Sequence, residues 1–432
     1  MDAKPTRVRH LVLFVVCLAY FITYLDRINI AAAAPLMMKE FNFSRAELGA
    51  VFSAFTWAYA LFQIPAGWLG DKYGARKILA LSVIAWSVMT GVTACAWSLV
   101  SLLVIRFIFG IGEAGAFPSA TRAFSFWMPS TERGFSQGIT HAFARIGAAA
   151  TPALAVAVMA VWGWRSMFIL FAGVGVVWAT FWYFWYRDTP TEFQSRWGRI
   201  NQAEIDLINE GKNTSKDKPK LPFSKLFKSK NMWALCFAYF CYSYTLWIYY
   251  TWLPTYLVDA RGFTIVKMGI FASMPLLAGT VGDTLGGWLS DKIWAATGRG
   301  KFSRRVVAIS GLLVGAAFML PGAMTDSAYL AVFLLSCSVF CLEMAVGVYW
   351  AVCLDVGHEY AGTVSGMMNS IGNIGSAISP LAFGFILQYT GSWVYPFIVA
   401  SVLLVIGAFL WMHVNPEMSV ADELGLNAPP QT

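Results

Sequence analysis

The sequence predicts an all-α membrane protein, with twelve transmembrane helices in two six-helix halves around a central cavity. Three observations favour this fold class. Apolar stretches of about 20 residues, the length that crosses a bilayer, recur along the whole chain. Only 12% of the residues are charged, about half the share in a soluble domain. Finally, a six-residue segment recurs almost unchanged 220 positions later.

The apolar stretches define the predicted helices, because polar or charged residues bound each of them. They cover residues 10–34, 46–70, 77–97, 99–123, 136–160, 164–187, 231–257, 265–290, 305–325, 327–355, 361–388 and 392–414. The longest polar interruption separates the sixth stretch from the seventh. The predicted domains are therefore an N-terminal half (1–187), a cytoplasmic linker (188–230) and a C-terminal half (231–432). Within the linker we expect a short amphipathic helix at 201–211 and otherwise a mobile chain.

Basic residues lie mainly in loops that twelve crossings would place on one side of the membrane. Outside the linker they are Lys4, Arg7, Arg9, Lys72, Arg76, Lys77, Lys292, Arg299, Lys301, Arg304 and Arg305. The positive-inside rule makes that side the cytoplasm, so both termini are predicted to be cytoplasmic. The net charge of +8 is thus a topology signal, and no nucleic-acid partner is expected. We predict a multi-pass protein of a bacterial inner (plasma) membrane.

The repeated segment supports a division into two related halves. Residues 67–72 (Gly-Trp-Leu-Gly-Asp-Lys) end the second stretch, and residues 287–292 (Gly-Trp-Leu-Ser-Asp-Lys) end the eighth. Pro35 and Pro254, each near the end of the first helix of its half, are 219 positions apart. Two similar halves in parallel orientation are typical of a transporter with its site between them.

The segment from Gly67 to Lys77 resembles the cytoplasmic loop signature of the major facilitator superfamily, and residues 287–292 resemble a weaker copy. Glycines in such a loop allow helices to approach closely, and the aspartate can contact basic groups across a moving interface. The resemblance implies a cytoplasmic gate motif formed by Gly67, Asp71, Lys72, Gly74, Arg76, Gly287 and Asp291.

Within that superfamily the sequence resembles the anion:cation symporter family. Residues 24–29 (Tyr-Leu-Asp-Arg-Ile-Asn), 57–67 and 106–118 carry the likeness. It implies that Arg27 and Arg106 lie near a substrate carboxylate and that Asp26 and Glu113 bind coupling protons. The predicted substrate-binding set is completed by Tyr24, Tyr59, Arg145, Trp350 and Asn369.

The spacing of the charged residues is consistent with these roles. Arg106 and Glu113 are two helical turns apart and share one face, whereas the adjacent Asp26 and Arg27 point about 100° apart and need not pair. Arginine offers a planar fork that matches a carboxylate. Protonation of a buried acid would free an arginine to bind an anion, which links proton and anion reciprocally. The proton is the only predicted coupling ion, and no cofactor is expected.

Several intramembrane residues keep more than one interpretation. Arg145 lies where many sugar-acid members of the family have an amide, so it could favour a dianion or simply balance Glu113. His141, one turn earlier, could titrate. Asp283 and Glu343 could be helix-packing partners, a second proton site or cavity residues.

The predicted function is secondary active transport by alternating access, importing an organic carboxylate with protons. A sugar acid (hexuronate, aldonate or aldarate) is the first candidate, and an aromatic or dicarboxylic acid is the alternative. A drug or cation exporter is another class, because residues 147–152 loosely resemble the glycine-proline motif of antiporters. No nucleophile–base set indicates an enzyme, the scattered cysteines and histidines indicate no metal site, and we expect a monomer.

Overall fold

The structure is a computed structural model that describes residues 4–129, 132–209, 227–357 and 361–424. Within these ranges every regular element is a helix, which confirms the predicted all-α class. The helices are α1 (Val8–Phe41), α2 (Arg45–Tyr73), α3 (Ala75–Thr93), α4 (Leu99–Glu113), α5 (Ala116–Trp127), α6 (Arg133–Trp185), α7 (Pro190–Trp197), α8 (Gln202–Asn209), α9 (Lys230–Thr251), α10 (Leu253–Asp259), α11 (Ile265–Thr297), α12 (Gly300–Met324), α13 (Ala328–Gly357), α14 (Ala361–Thr390), α15 (Val394–Trp411) and α16 (Val420–Glu423).

Ten helical segments in the described part of the chain are long and apolar enough to cross a membrane. One of them, Phe135–Trp185, has 51 residues and would be about 77 Å long if straight, more than twice the hydrocarbon thickness. Gly163 breaks it, with φ 76° and ψ 168°, a conformation that glycine adopts most readily. This break divides the segment into two predicted spans. The remaining span of the predicted twelve corresponds to α9, which has 22 residues and is less apolar than the ten segments.

The chain divides into two compact units. The first comprises Met1–Asn42 and Ala54–Ser215, and the second comprises Phe43–Ser53 and Lys216–Thr432. The predicted linker contains α7 and α8, and α8 falls where the amphipathic helix was expected. The mobile chain predicted for 188–200 is wrong, because Thr189 caps the first turn of α7 and Pro190 begins it. Most of the mobile chain predicted for 212–230 lies outside the described residues, and the linker boundaries stay a prediction.

Close helix approach in the first unit depends on glycines. A Cβ added to Gly110 of α4 would lie 2.4 Å from the Phe55 carbonyl oxygen of α2. A Cβ added to Gly147 of α6 would lie 2.6 Å from the Phe21 carbonyl oxygen of α1. Because real side chains do not approach backbone this closely, only glycine permits these crossings. They bring the charged residues of α1 and α4 next to the aromatic residues of α2.

The second unit is assembled in the same way around α13. Added Cβ atoms on Gly282 and Gly286 of α11 would lie 2.2 Å and 2.1 Å from carbonyl oxygens of α13. On its other side, α13 is joined to α9 by hydrogen bonds, one of which runs from the Tyr249 hydroxyl to Ser338 Oγ at 3.0 Å.

In each unit, one helix has its first amides capped by a distant glutamate. Glu204 accepts hydrogen bonds from the backbone amides of Val8 and Arg9, each at 3.1 Å. Glu423 accepts them from Lys230 at 2.9 Å and from the following residue at 3.3 Å. A carboxylate at a helix N-terminus satisfies unpaired donors and complements the helix dipole. The two glutamates are 219 positions apart, so they follow the internal repeat.

Candidate functional site

Asp26 and Arg27 are both buried and have different partners. The Arg27 Nε donates to Glu113 Oε1 at 2.9 Å, and its Nη2 contacts the same oxygen. The Asp26 Oδ2 instead accepts a hydrogen bond from the Trp86 indole at 3.1 Å. The two adjacent residues therefore face different helices, α4 and α3, as their helical spacing predicts.

Four aromatic rings surround the Arg27 guanidinium. Its Cζ lies 4.7 Å from the Tyr24 ring centroid, 5.0 Å from Tyr59, 5.2 Å from Phe55 and 5.8 Å from Phe117. Such faces attract a cation, and the attraction is strongest where water is excluded. The two tyrosines that were predicted to bind substrate thus lie against the predicted substrate arginine.

Arg106 is brought to the same place by one shared ring. Its guanidinium carbon lies 5.0 Å from the Phe55 centroid and 4.5 Å from Phe109. Phe55 therefore contacts both Arg27 and Arg106. The side chain of Arg106 is only 3% exposed, and its Nε has no hydrogen-bond partner among the described residues.

Buried polar atoms without partners are concentrated around this cluster. Within the described ranges they include Asp26 Oδ1, Glu113 Oε2 and both amide atoms of Asn29, one turn beyond Asp26 on α1. Most buried polar groups in proteins are hydrogen-bonded, so a group of exceptions needs an explanation. These atoms are donors and acceptors that water or a bound ligand could satisfy.

Sequence reasoning assigned no role to Trp86, Phe55 or Asn29. Trp86 carried one usable signal, since an indole N–H within an apolar span must find an acceptor. Phe55 carried none, because a phenylalanine in a transmembrane helix is ordinarily packing. Asn29 lay within the family-like segment without a stated role.

His141 and Arg145 lie on α6. The His141 ring packs against Phe117, with 6.1 Å between centroids, and edge-on against Tyr20 at 5.9 Å. Phe117 also contacts Arg27, so α6 borders the same aromatic surroundings. Arg145 is half-buried one turn further along α6.

In the second unit, the predicted substrate residues Trp350 and Asn369 lie on helices that meet at Tyr239. The Trp350 ring lies edge-on to the Tyr239 ring, with 6.4 Å between centroids. Gly372, three residues after Asn369 on α14, is so close that an added Cβ would lie 2.5 Å from the Tyr239 ring. Trp350 is 37% exposed, and Asn369 is half-buried.

Glu343 is joined to this aromatic group. It is buried, and its Oε2 accepts a hydrogen bond from the Tyr242 hydroxyl at 3.0 Å. The Tyr242 ring stacks on Tyr239, with 5.4 Å between centroids. Glu343 is therefore linked through Tyr242 and Tyr239 to the Trp350 ring. Asp283, on α11, is half-buried.

The predicted gate motif of the first unit forms a hydrogen-bonded corner between α2 and α3. Asp71 pairs with Arg122 of α5 at 3.1 Å, and the backbone amide of Arg76 donates to Asp188 at 2.9 Å. Gly74 has φ 89°, and an added Cβ would lie 2.4 Å from the Asp188 carboxylate. Both facts require glycine at this turn.

Two further motif residues lie close by. The Lys72 ammonium lies 5.0 Å above the Trp68 ring. Gly67 faces α5, where an added Cβ would be 3.4 Å from Pro118. The role of the motif as a gate stays a prediction.

The second copy of the motif forms a related network. Asp291 pairs with Arg304 at 2.7 Å, and Arg304 also pairs with Asp355 at 3.0 Å. Gly287 lies where α11 and α13 nearly touch, because a Cβ added to Gly347 would be 3.3 Å from the Gly287 nitrogen. Among the residues that the structure describes, no group of three or more histidines, cysteines and acids could hold a metal ion.

The fold and these motifs define a membrane transporter, and the family comparison agrees. The family model of the Major Facilitator Superfamily matches residues 16–380, so the chain belongs to this superfamily. The relatives of this chain are transporters. The protein is therefore a multi-pass membrane transporter and not an enzyme, as the sequence predicts.

Three curated relatives are similar over nearly the whole chain. The chain is 43% identical over 416 residues to the Probable sulfoacetate transporter SauU of Cupriavidus necator, covering 96% of this chain and 95% of the relative. It is 32% identical over 391 residues to the Hexuronate transporter of Bacillus subtilis, covering 90% of each. It is 31% identical over 400 residues to the D-galactonate transporter of Escherichia coli, covering 90% and 91%.

A solved structure supports the fold. The crystal structure of a bacterial homolog of the human lysosomal transporter Spinster, in an inward-facing and occupied conformation, aligns with a TM-score of 0.76. The alignment covers 94% of this chain and 96% of that chain, at 20% sequence identity. At this identity the likeness shows the fold alone.

Proposed function

We propose that the protein imports a small organic anion together with protons. The observation that carries this proposal is the buried Arg27–Glu113 pair, which shares the ring of Phe55 with a second buried arginine, Arg106. Two guanidinium groups in a dry, aromatic setting form a strong anion site once one of them is released. The relatives reported above are named as anion transporters, which favours anion uptake over the export of a cation.

Protonation of Glu113 is the proposed release step. While Glu113 is ionised, its Oε1 occupies the Nε and Nη2 groups of Arg27, which are the fork that a substrate carboxylate would use. A proton on Glu113 removes the charge that holds this fork. Arg27 can then bind the anion, and a bound anion in turn favours the protonated state of Glu113.

Asp26 is the proposed second proton site. It is fully buried, and its one described hydrogen bond comes from the neutral Trp86 indole. Within the described part of the chain, no arginine or lysine nitrogen lies within ion-pair distance of its carboxylate. A proton on Asp26 would remove a buried charge that no adjacent cation compensates.

For the substrate, the leading candidate is a short dianion of the sulfoacetate type, with a carboxylate at one end and a sulfonate at the other. The relative with 43% identity is named as a probable sulfoacetate transporter. Arg27 and Arg106, which both contact the Phe55 ring, could each bind one charged end of such a substrate.

The second candidate is a sugar acid, as the sequence alone suggested. The hexuronate and D-galactonate transporters are 32% and 31% identical to the chain. Hydroxyl groups of a sugar acid could hydrogen-bond to Tyr24 and Tyr59, whose rings lie against Arg27. An aromatic or dicarboxylic acid remains a further candidate of the same mechanism.

Transport by purified protein in vesicles tests the proposal. Labelled sulfoacetate, a hexuronate, galactonate, an aromatic acid and a dicarboxylic acid are offered with and without an inward proton gradient. We expect accumulation of one class that depends on the gradient. Asp26→Asn and Glu113→Gln should abolish accumulation, whereas the matched control Glu40→Gln, at an exposed ion pair with Arg165, should not. Accumulation that ignores the gradient would contradict proton coupling.

The substrate arginine is tested in the same system. Arg106→Ala should lower anion affinity at least tenfold, because a charge-assisted hydrogen bond to a buried carboxylate is worth about 1.5–3 kcal/mol. The control Arg165→Ala should leave affinity unchanged. Wild-type anion affinity in the Arg106→Ala variant would show that Arg106 does not bind the substrate.

We further propose that the protein is a monomer in a bacterial inner membrane, with both termini in the cytoplasm. Tags at either end should be protected from protease in intact spheroplasts and cleaved in inverted vesicles. Cleavage in intact spheroplasts would reverse the topology.

A further inference from the structure

A cavity of about 740 Å³ lies where α12 begins and α15 ends. Its mouth is lined by Arg299, the residue before α12, by Lys301 and Arg305 of α12, and by Met412 and Glu417. This cavity is built entirely from the second unit and is separate from the residues proposed for transport.

The mouth carries an excess of positive charge. Within the described ranges, none of Arg299, Lys301 and Arg305 forms an ion pair. The one acid, Glu417, accepts a hydrogen bond from the Lys301 backbone amide at 2.9 Å and so caps the helix. The neighbouring Arg304 differs, because Asp291 and Asp355 both neutralise it. The positive end of the α12 dipole adds to the attraction for an anion.

The Arg305 side chain is held in place at this mouth. Its Nε donates to the Val414 carbonyl oxygen at 2.9 Å. The guanidinium is thereby oriented by the chain that follows α15, and its remaining N–H groups are the donors available to a ligand. A fixed guanidinium suits a phosphate group, which it can bind with two parallel hydrogen bonds.

Beyond the mouth, the cavity wall becomes apolar. Phe302, Val306, Ile309 and Leu313 recur at intervals of four, three and four residues, so they form one stripe along α12. The stripe extends about 16 Å into the span. Phe302 is 52% exposed, Val306 37% and Leu313 42%. A helix that crosses a bilayer presents such exposed apolar side chains to lipid.

We propose that this cavity binds an anionic phospholipid. The headgroup phosphate lies at Arg299, Lys301 and Arg305, and one acyl chain lies along the apolar stripe. A small soluble anion would use the basic mouth and leave the stripe uncovered, whereas a phospholipid matches both ends of the cavity. In the predicted topology the mouth faces the cytoplasmic leaflet, where basic clusters attract anionic lipids.

Lipid binding to the delipidated, detergent-purified protein tests the site. Phosphatidylglycerol, phosphatidylcholine and glycerol 3-phosphate are titrated separately, and binding is read by native mass spectrometry and thermal stabilisation. We expect saturable binding of phosphatidylglycerol, at least tenfold weaker binding of phosphatidylcholine, and no stabilisation by glycerol 3-phosphate. Equal binding of the two lipids would overturn the headgroup assignment, and equal stabilisation by glycerol 3-phosphate would show a soluble-anion site instead.

Two variants separate the parts of the site. The double variant Arg299→Glu with Lys301→Glu should weaken phosphatidylglycerol binding at least 25-fold, at roughly fivefold for each basic charge lost. Acidic residues are favourable in a first helical turn, so α12 should persist. Leu313→Asn should weaken binding through the acyl wall. The control Lys292→Glu, outside the cavity, should bind normally. Wild-type affinity in the double variant would refute the proposal.

Discussion

The buried pair between Arg27 and Glu113 makes a quantitative prediction about stability. The Arg27 side chain is 7% exposed and that of Glu113 0%, so neither charge can return to water when its partner is lost. Removing one member of a buried pair costs about 3–5 kcal/mol, because the other charge stays buried and uncompensated. Arg27→Met and Glu113→Leu should each lower the free energy of unfolding by about this amount.

The double variant should be much less destabilised than the sum of the two. With both charges removed, neither member of the pair is left uncompensated, and apolar side chains of similar volume fill the space within the aromatic residues. We therefore expect the double variant to cost no more than about 3 kcal/mol, which gives a coupling energy of at least about 3 kcal/mol between the two positions. The exposed pair of Glu40 and Arg165 is the matched control. Its members are 42% and 44% exposed, and its coupling should stay below about 1 kcal/mol.

The assay is reversible unfolding in mixed micelles, followed by tryptophan fluorescence. For each pair, the wild type, the two single variants and the double variant are measured in the same detergent, so that the effect of the detergent cancels in the coupling energy. Additive effects at Arg27 and Glu113, with a coupling no larger than that of the control pair, would refute the reasoning. In that case another group would compensate the charge of Arg27, and Glu113 would not be the group that restrains Arg27.

Three other predictions follow from the packing and the caps. Gly110→Ala should lower the free energy of unfolding by about 1–3 kcal/mol through overpacking. Gly138→Ala should raise the free energy of unfolding by about 0.5–1 kcal/mol, because nothing lies within 4 Å of the added Cβ. Denaturant titrations check both variants. Glu204→Ala should cost about 1–3 kcal/mol and speed amide exchange at the start of α1, because the cap is lost. The hydrogen bond from Arg9 lowers the pKa of Glu132. Because this site is partly exposed, the hydrogen bond stabilises the fold by less than about 1 kcal/mol. The stabilisation is present at neutral pH and is lost as the pH falls below about 4. Stability measured against pH should show this acid loss, and Glu132→Gln should remove it.

Much of the architecture is predictable because a bilayer imposes helix length and polarity. The apolar stretches locate the helices, and the repeated segment at 67–72 and 287–292 indicates two related halves. The break at Gly163 falls between two predicted spans, but hydropathy does not distinguish a loop from a kink in one continuous helix. The glutamate caps were not predicted, because capping by a distant residue leaves no local pattern.

The candidate site is predictable in its members and less so in its pairs. Helical spacing separates Asp26 from Arg27 and places Arg106 and Glu113 on one face. It cannot decide which arginine meets Glu113, since that depends on how α1 and α4 cross. The partner of Asp26 is an indole on α3, and no rule of spacing connects the two.

In the proposed mechanism, proton binding by Asp26 and Glu113 controls anion binding by Arg27 and Arg106. The most direct measurement is the number of protons taken up when the transported anion binds. Isothermal titration calorimetry in buffers of different ionisation enthalpy gives this number for the purified protein. We predict net proton uptake near neutral pH and none in the variant carrying Asp26→Asn and Glu113→Gln. Anion binding without net proton uptake at any pH between about 5 and 8 would contradict the account.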